Sequence, residues 1–182
     1  KPMIAAERFR TSASLGMLQT LAPELARAPP GHLDAHKLPH LKTVIRMGDT
    51  ATPGMFNFDA IRAAVSVADI ARVDTVGAQL RPNDAINIQF TSGTTGNPKG
   101  ATLTHRNILN NGRIVGAGMR LTEHDRLCVP VPLYHCFGMV MSSLACITHG
   151  AAAVFPSDVF DPLATLEAVA AERCTALHGV PT

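Results

Sequence analysis

Short apolar runs alternate with polar ones along the chain, and their spacing predicts the type of each element. Residues 85–90 alternate apolar and polar side chains with a period of two, which predicts a strand. Residues 11–28 predict a helix, because four leucines recur about one turn apart on one face before Pro29-Pro30-Gly31 ends the pattern. These leucines are Leu15, Leu18, Leu21 and Leu25.

The same patterns predict further strands and helices on both sides of these two segments. Strands are expected at 3–6, 41–47, 126–131, 151–155 and 175–180, the first and fourth of them buried. Helices are expected at 58–67, at 104–119 with Thr104 as N-cap, and at 137–148 before Gly150. Residues 48–54 are expected to form a loop, and residues 69–84 show no clear pattern.

A last helix is predicted to begin at Asp161-Pro162, where an N-cap residue precedes a proline at the first helical position. Its expected inner face consists of Leu163, Leu166, Val169 and Ala170. Strands that alternate with helices indicate βαβ units. The predicted fold class is therefore α/β, a mostly parallel sheet flanked by helices that forms part of a doubly wound subdomain.

Composition excludes several classes of function. The 182 residues are 46% hydrophobic and 16% charged, with a net charge of +2, one Tyr and no Trp, so a nucleic-acid partner is not expected. No apolar run approaches the roughly 20 residues of a membrane span. The chain begins with Lys1 rather than Met, so its natural N-terminus is expected to be missing. The cytoplasm or an organelle matrix is the expected location.

Cysteine and histidine spacing gives no convincing metal site. The four cysteines form no C-x-x-C pair and have apolar neighbours, which is typical of reduced core cysteines. His32, His36 and His40 recur every four residues, but Gly31 and Pro39 interrupt a helix there. A polar loop is therefore the preferred interpretation of this segment.

Residues 91–100 combine the features of a phosphate-binding loop. Glycines let backbone N–H groups approach an anion, hydroxyls donate to phosphate oxygens or bind Mg²⁺, and a lysine adds positive charge. The segment reads Thr91, Ser92, Gly93, Thr94, Thr95, Gly96, Asn97, Pro98, Lys99, Gly100. A strand before it and a helix soon after it predict a ligand at the carboxyl end of a parallel strand.

Other loop motifs do not fit the same residues. A Walker loop needs Gly-Lys followed by Ser or Thr, whereas Lys99 lies between Pro98 and Gly100. Gly116-Ala117-Gly118 lacks the third glycine of a dinucleotide fingerprint, and no Gly-x-Ser-x-Gly elbow is present. An ordinary Gly/Thr-rich surface turn is the remaining alternative, which the density of hydroxyls and glycines disfavours.

Residues 91–100 resemble the signature loop of the adenylate-forming superfamily, and residues 84–108 resemble its fatty acyl-CoA synthetases, the medium-chain type in particular. Residues 132–138, Pro-Leu-Tyr-His-Cys-Phe-Gly, are similar to the second motif of these enzymes. The resemblance covers nearly the whole chain. It implies that residues 1–182 are part of the large N-terminal AMP-binding domain and that the small C-terminal domain is absent.

The resemblance also implies the reaction and the roles of individual residues. The loop would hold the β- and γ-phosphates of ATP, with Thr91 near Mg²⁺ and the metal-binding carboxylate outside this chain. A fatty acid would form acyl-AMP, and coenzyme A would then displace AMP. His135 would be catalytic, beside the acyl carboxylate, and Tyr134 would border the same acyl pocket. His178 could line that pocket or simply end a strand.

Two alternatives to a fatty acid–CoA ligase remain open from the sequence. One is an acyl-AMP ligase that loads a carrier protein, and the other is a non-catalytic nucleotide-binding remnant. The isolated 182 residues are expected to be inactive, because they lack the metal carboxylate, the ribose-binding aspartate and the C-terminal lysine that the resemblance requires. Apolar surface left uncovered would favour self-association.

Overall fold

The computed structural model describes residues 1–8, 11–91 and 96–180. The chain divides into two compact units, Lys1–Ala78 and Gln79–Thr182. Each unit has a parallel three-stranded sheet, and the predicted mixed α/β architecture is confirmed. No helix among the described residues is long and apolar enough to cross a membrane.

The sheet of the first unit consists of β1 (Pro2–Ala5), β2 (Thr43–Arg46) and β3 (Phe56–Asn57), with β2 in the middle. The helices are α1 (Ser14–Leu21), a 3₁₀ turn (Pro23–Ala26), α2 (Phe58–Ala63) and α3 (Val67–Gly77). Apolar side chains from α1, the 3₁₀ turn and β2 form the core. Its members are Ala5, Leu15, Leu18, Ala22, Leu25, Leu33, Ala35, Val44 and Met55.

Three differences from the predicted pattern occur in this unit. The helix predicted at 11–28 is interrupted at Pro23, so that Leu21 faces solvent while the other three leucines are buried. Strand β1 forms as predicted, but Met3 and Ile4 are exposed, so the prediction of a buried strand was wrong. Helix α3 occupies part of the segment without a clear pattern, and a reciprocal capping box between Ser66 and Asp69 fixes its start.

The second unit begins with an antiparallel hairpin of β4 (Ala85–Thr91) and β5 (Lys99–Thr104), followed by α4 (His105–Gly118). Its parallel sheet has the order β7-β6-β8, from β6 (Arg126–Cys128), β7 (Ala152–Val154) and β8 (Ala176–Leu177). A π-helix (Phe137–Leu144) and α5 (Ala145–His149) connect β6 to β7, and α6 (Pro162–Ala171) connects β7 to β8.

The core of the second unit lies between this parallel sheet and the helices beside it. It contains Leu121, Leu127, Val129, Ala145 and Cys146. All four cysteines are free, with Cys128 and Cys146 buried, as the apolar neighbours predicted. Burial raises the pKa of the Cys146 thiol, so this side chain is held in its neutral form.

Two start signals read from the sequence are confirmed in this unit, and one face prediction was wrong. Thr104 caps α4 by accepting from the Asn107 N–H, and the Asp161 carboxylate caps α6 by accepting from the Ala164 N–H at 2.9 Å. On α6, however, Leu163 and Leu166 are 65% exposed. Periodicity identified an apolar face there, but that face does not enter the core.

Gly54 offers a direct test of the packing in the first unit. Its φ is +74°, and a Cβ added there would lie 1.8 Å from the Leu25 carbonyl oxygen. We expect Gly54→Ala to lower the free energy of unfolding by about 3 kcal/mol or more, since the backbone of the 3₁₀ turn must move. Gly48→Ala is the matched control, because Gly48 has φ +90° but open space around it.

For Gly48→Ala we expect the free energy of unfolding to fall by only about 1–2 kcal/mol, which is the backbone strain of a side chain at positive φ. Chemical denaturation of the full-length protein, followed by circular dichroism, measures both variants. Equal losses in the two variants would contradict the packing described for Gly54.

Candidate nucleotide and acyl site

The β4–β5 hairpin brings together the two ends of the predicted phosphate loop. Thr91 and Lys99 are directly paired across the two strands, and both are exposed. Directly opposite residues project to the same face of a sheet, with Cβ atoms about 4.5–5.5 Å apart. The Thr91 hydroxyl and the Lys99 ammonium can therefore act on one ligand. Ser92, Gly93, Thr94 and Thr95, which the sequence also assigned to this loop, lie outside the described residues.

The strand before the loop is antiparallel to its neighbour, so the predicted position at the carboxyl end of a parallel strand was wrong. Helix α4 begins at the opposite end of the hairpin, where Ala85 pairs with Thr104. Six residues of strand separate that end from Thr91, which corresponds to about 20 Å. Because the helix dipole acts mainly within the first turn, α4 does not contribute to anion binding at the loop.

His135 lies in the turn that leads into the π-helix. Its backbone N–H donates to the Pro132 carbonyl at 3.2 Å, and its ring Nδ1 accepts from the Phe137 N–H at 3.1 Å. A neutral imidazole that accepts at Nδ1 carries its proton on Nε2. The exposed His135 ring therefore presents an N–H donor, which suits an anionic oxygen better than it suits proton abstraction.

Gly138 explains why this turn can form. A Cβ at this position would lie 2.4 Å from the Pro132 carbonyl oxygen, so a larger residue would separate the two ends of the turn. Pro132 and Gly138, the first and last residues of this segment, are therefore in direct contact. This contact holds His135 at the start of the π-helix.

An apolar cavity of about 660 Å³ lies beyond the carboxyl ends of β6 and β8. Its volume is within the range of small-molecule sites, and the carboxyl edge of a parallel sheet is where ligands of open α/β sheets bind. Aromatic and aliphatic side chains predominate in its lining. Lining residues include Pro132, Tyr134, His135, Phe137, Phe160, Leu166, Leu177 and His178.

A hydrogen-bonded cluster closes one side of this cavity. The Ser142 hydroxyl donates to the Phe137 carbonyl at 2.8 Å, and the Ser142 Oγ lies 2.7 Å from His178 Nδ1. The His178 ring is 4.9 Å from the Phe137 ring, and its Nε2 is 3.2 Å from the Met119 sulfur. Burial lowers the pKa of His178 below its ordinary value, which favours the neutral ring.

The structure brings together three residues that the sequence analysis associated with one acyl pocket. Tyr134, His135 and His178 all line the cavity. Sequence reasoning missed Ser142, although a serine pair inside an apolar run was a visible signal. It also missed Phe160 and assigned Leu166 to the core, whereas both line the cavity. An apolar side chain on a cavity wall and one in a core have the same sequence signature.

Metal-binding side chains do not cluster in the part of the chain that the structure describes, where no group of three or more His, Cys, Asp or Glu could hold an ion. The histidines at 32, 36 and 40 accordingly form no such group. Thr91 offers a single hydroxyl oxygen, which fits one position of an octahedral Mg²⁺. The remaining ligands of such an ion would have to come from water, phosphate or residues beyond this set.

Comparisons with known proteins place the chain in one enzyme family. The AMP-binding enzyme family matches residues 12–182. "Acyl-CoA ligase SID4" of Ajellomyces capsulatus is 51% identical over 147 residues, which are 80% of this chain and 25% of that protein. "Medium-chain acyl-CoA ligase ACSF2, mitochondrial" of Danio rerio is 40% identical over 182 residues, covering 99% of this chain and 30% of that protein.

Among solved structures, an ATP-bound RpMatB–BxBclM chimera has a TM-score of 0.58 and 32% identity. The match covers 76% of this chain and 25% of the chimera. The chain thus spans less than a third of the length of each of these proteins.

The neutral state of His178 predicts a pH dependence of stability. Because its pKa is lowered from 6.5 in the folded protein, the unfolded chain binds the proton more readily just below that pH. The free energy of unfolding should therefore rise with pH up to about 6.5 and level off above it. In His178→Asn, which has no titrating ring, this contribution should disappear. Denaturation of both proteins between about pH 5 and 8 tests this, and identical pH profiles would contradict it.

Proposed function

Because the chain belongs to the AMP-binding enzyme family, we propose that the protein containing it is a fatty acid–CoA ligase that uses ATP. The carboxylate oxygen attacks the α-phosphorus of ATP, pyrophosphate leaves, and acyl-AMP forms. The thiol of coenzyme A then attacks the acyl carbon and AMP leaves. One observation carries the proposal: the unit that holds the Thr91–Lys99 hairpin also has an apolar cavity with His135 in its lining.

Residues 91–100 are assigned to the phosphates of ATP. The paired positions of Thr91 and Lys99 support this role, since a hydroxyl and an ammonium on one face can together neutralise phosphate oxygens. Positioned donors and positive charge lower the barrier by stabilising the pyrophosphate as negative charge develops on it. The relation to a solved ATP-bound protein supports ATP as the nucleotide.

Magnesium is the cofactor that this chemistry implies. Thr91 would provide one oxygen ligand, and a carboxylate beyond this chain would provide another. A bound Mg²⁺ neutralises phosphate charge and so makes pyrophosphate a better leaving group. Lys99, on the strand opposite Thr91, adds a further positive charge.

His135 and the cavity are assigned to the carboxylic acid. The Nε2–H of His135 can donate to the carboxylate or to the α-phosphate, while the apolar lining takes up the hydrocarbon chain. Tyr134 borders the same space. A neutral donor beside the carboxylate orients it without protonating it, so the oxygen that must attack remains nucleophilic.

Coenzyme A is favoured as the acceptor over a carrier protein. The relatives described above are named acyl-CoA ligases, and one of them is named for medium-chain acids. A relative named as mitochondrial supports an organelle matrix as one location, beside the cytoplasm. A catalytically inactive remnant is disfavoured, because both the paired loop ends and the cavity are retained.

Exposed apolar side chains of α3 support self-association of the isolated 182 residues. Val67, Ile70, Val73 and Val76 are all more than half exposed. Exposed apolar side chains of this kind favour contact with another apolar surface. Sedimentation velocity of the isolated chain at increasing concentration measures this.

Replacing hydroxyls in the loop should slow adenylation. We expect Thr91→Ala and Thr94→Ala to reduce the rate of acyl-AMP formation by about 10²–10³-fold, the typical cost of one preorganised donor on developing charge. ATP–pyrophosphate exchange by the full-length protein is the assay. Thr102→Ala is the matched control, since Thr102 is an exposed threonine on β5 that lies outside residues 91–100. Unchanged exchange in both loop variants would remove the assignment.

His135→Ala should impair adenylation more than thioester formation from preformed acyl-AMP, because the carboxylate and the α-phosphate meet only in the first step. We expect a loss of about 10²-fold in acyl-AMP formation. His135→Gln can present an N–H near the Nε2 position and should recover part of the rate. The two half-reactions are measured separately, with circular dichroism as a control for folding. A folded alanine variant with normal adenylation would rule out the assignment.

A further inference from the structure

We propose that His178 is a positioning residue that determines how the cavity accepts the hydrocarbon part of the acid. The proposal rests on the function proposed above, because it takes the cavity as the acyl site. It concerns the Ser142–His178 pair, which links the end of β8 to the π-helix. These two elements are far apart in sequence, and Phe137 from one and His178 beside the other both line the cavity.

The direction of the hydrogen bonds follows from the partners. The hydroxyl proton of Ser142 is used in the bond to the Phe137 carbonyl, so Ser142 Oγ must accept from His178. His178 therefore carries a proton on Nδ1. In the neutral ring Nε2 then has no proton, so its approach to the Met119 sulfur at 3.2 Å is a packing contact and not a hydrogen bond. Ser142 is fully buried, so the serine end of the pair is shielded from competing water.

The Ser142–His178 pair is not arranged as a nucleophile and its base. A nucleophilic serine would donate its proton to the imidazole and expose its oxygen to a substrate. Here the serine donates to a backbone carbonyl, has no exposed surface and accepts from the imidazole. The geometry thus supports positioning of neighbouring groups.

The group that is positioned is the Phe137 ring. The rings of Phe137 and His178 lie 4.9 Å apart at an angle of 48°, and both line the cavity. Ser142 contacts the carbonyl of Phe137 and the ring of His178 at once. Loss of the imidazole therefore removes both the ring contact and the link between Phe137 and β8.

The π-helix makes this link possible. The hydroxyls of Ser142 and Ser143 each donate to the carbonyl five residues earlier, at 2.8 and 2.9 Å. These bonds match the i to i−5 spacing of a π-helix, a form that is rare and often found at functional sites. They place Ser142 where its oxygen can also accept a hydrogen bond from His178 Nδ1.

Three substitutions separate positioning from bulk packing. His178→Leu keeps an apolar side chain but removes the donor, His178→Asn keeps a donor near the Nδ1 position, and Ser142→Ala removes the acceptor. His124→Leu is the matched control, because the His124 side chain is 87% exposed. Straight-chain acids from hexanoate to dodecanoate are titrated calorimetrically into the full-length protein with a non-hydrolysable ATP analogue. KM values for acid and for ATP are measured in parallel.

We expect His178→Leu to weaken acid binding about 5- to 10-fold, the effect of one buried hydrogen bond, and to change which chain length binds best. The affinity of His178→Asn for the acid should stay within about 2-fold of wild type. The double variant His178→Leu/Ser142→Ala should bind the acid no more weakly than the single variant with the lower affinity, since the two substitutions remove the same interaction. The KM for ATP should not change.

Wild-type affinity and chain-length preference in His178→Leu would overturn the inference. So would equal losses in the Asn and Leu variants, or a parallel rise in the KM for ATP. If the wild type binds these acids but forms no acyl-CoA, the proposed function fails, while the binding data still decide the role of His178. If the wild type binds none of the acids, the inference is overturned.

Discussion

Parallel pairing of β6 with strands on both of its sides organises the second unit. Leu127 and Cys128 in β6 have no exposed surface, and β7 and β8 pair with the same short strand. Parallel neighbours cannot be joined by a tight turn, so a crossover must leave each strand end and return on a face of the sheet. The π-helix with α5 and helix α6 are these crossovers. Residues of the π-helix and of α6 line the cavity at the carboxyl edge.

The segment proposed to bind phosphate, residues 91–100, is positioned in a different way from the cavity. Antiparallel pairing of β4 with β5 fixes Thr91 opposite Lys99 through the backbone, without a helix N-terminus at the loop. In the proposed function, anion binding in this arrangement would depend on side-chain hydroxyls, backbone N–H groups and one ammonium. Such a dependence would account for the density of hydroxyl-bearing residues in the ten-residue segment.

Local signals predicted the parts of the structure that depend on neighbouring residues. The caps at Thr104 and Asp161 are examples, because a cap involves residues only a few positions apart. The antiparallel partner of β4 was not predictable from alternation, which is the same for either direction of pairing. The π-helix was missed because its apolar pattern also suits an α-helix, and that pattern does not show that Ser142 and Ser143 bond to carbonyls five residues earlier. Exposure of Leu166 was missed because periodicity identifies an apolar face but not what covers it.

We propose that this chain carries the phosphate and acyl sides of a site that activates apolar carboxylic acids. Acid-dependent ATP–pyrophosphate exchange by the full-length wild-type protein tests this proposal. We expect exchange that requires an added fatty acid and Mg²⁺, that is stronger with decanoate than with acetate, and that is absent without acid. Tight binding of ATP without exchange for any carboxylic acid would contradict it.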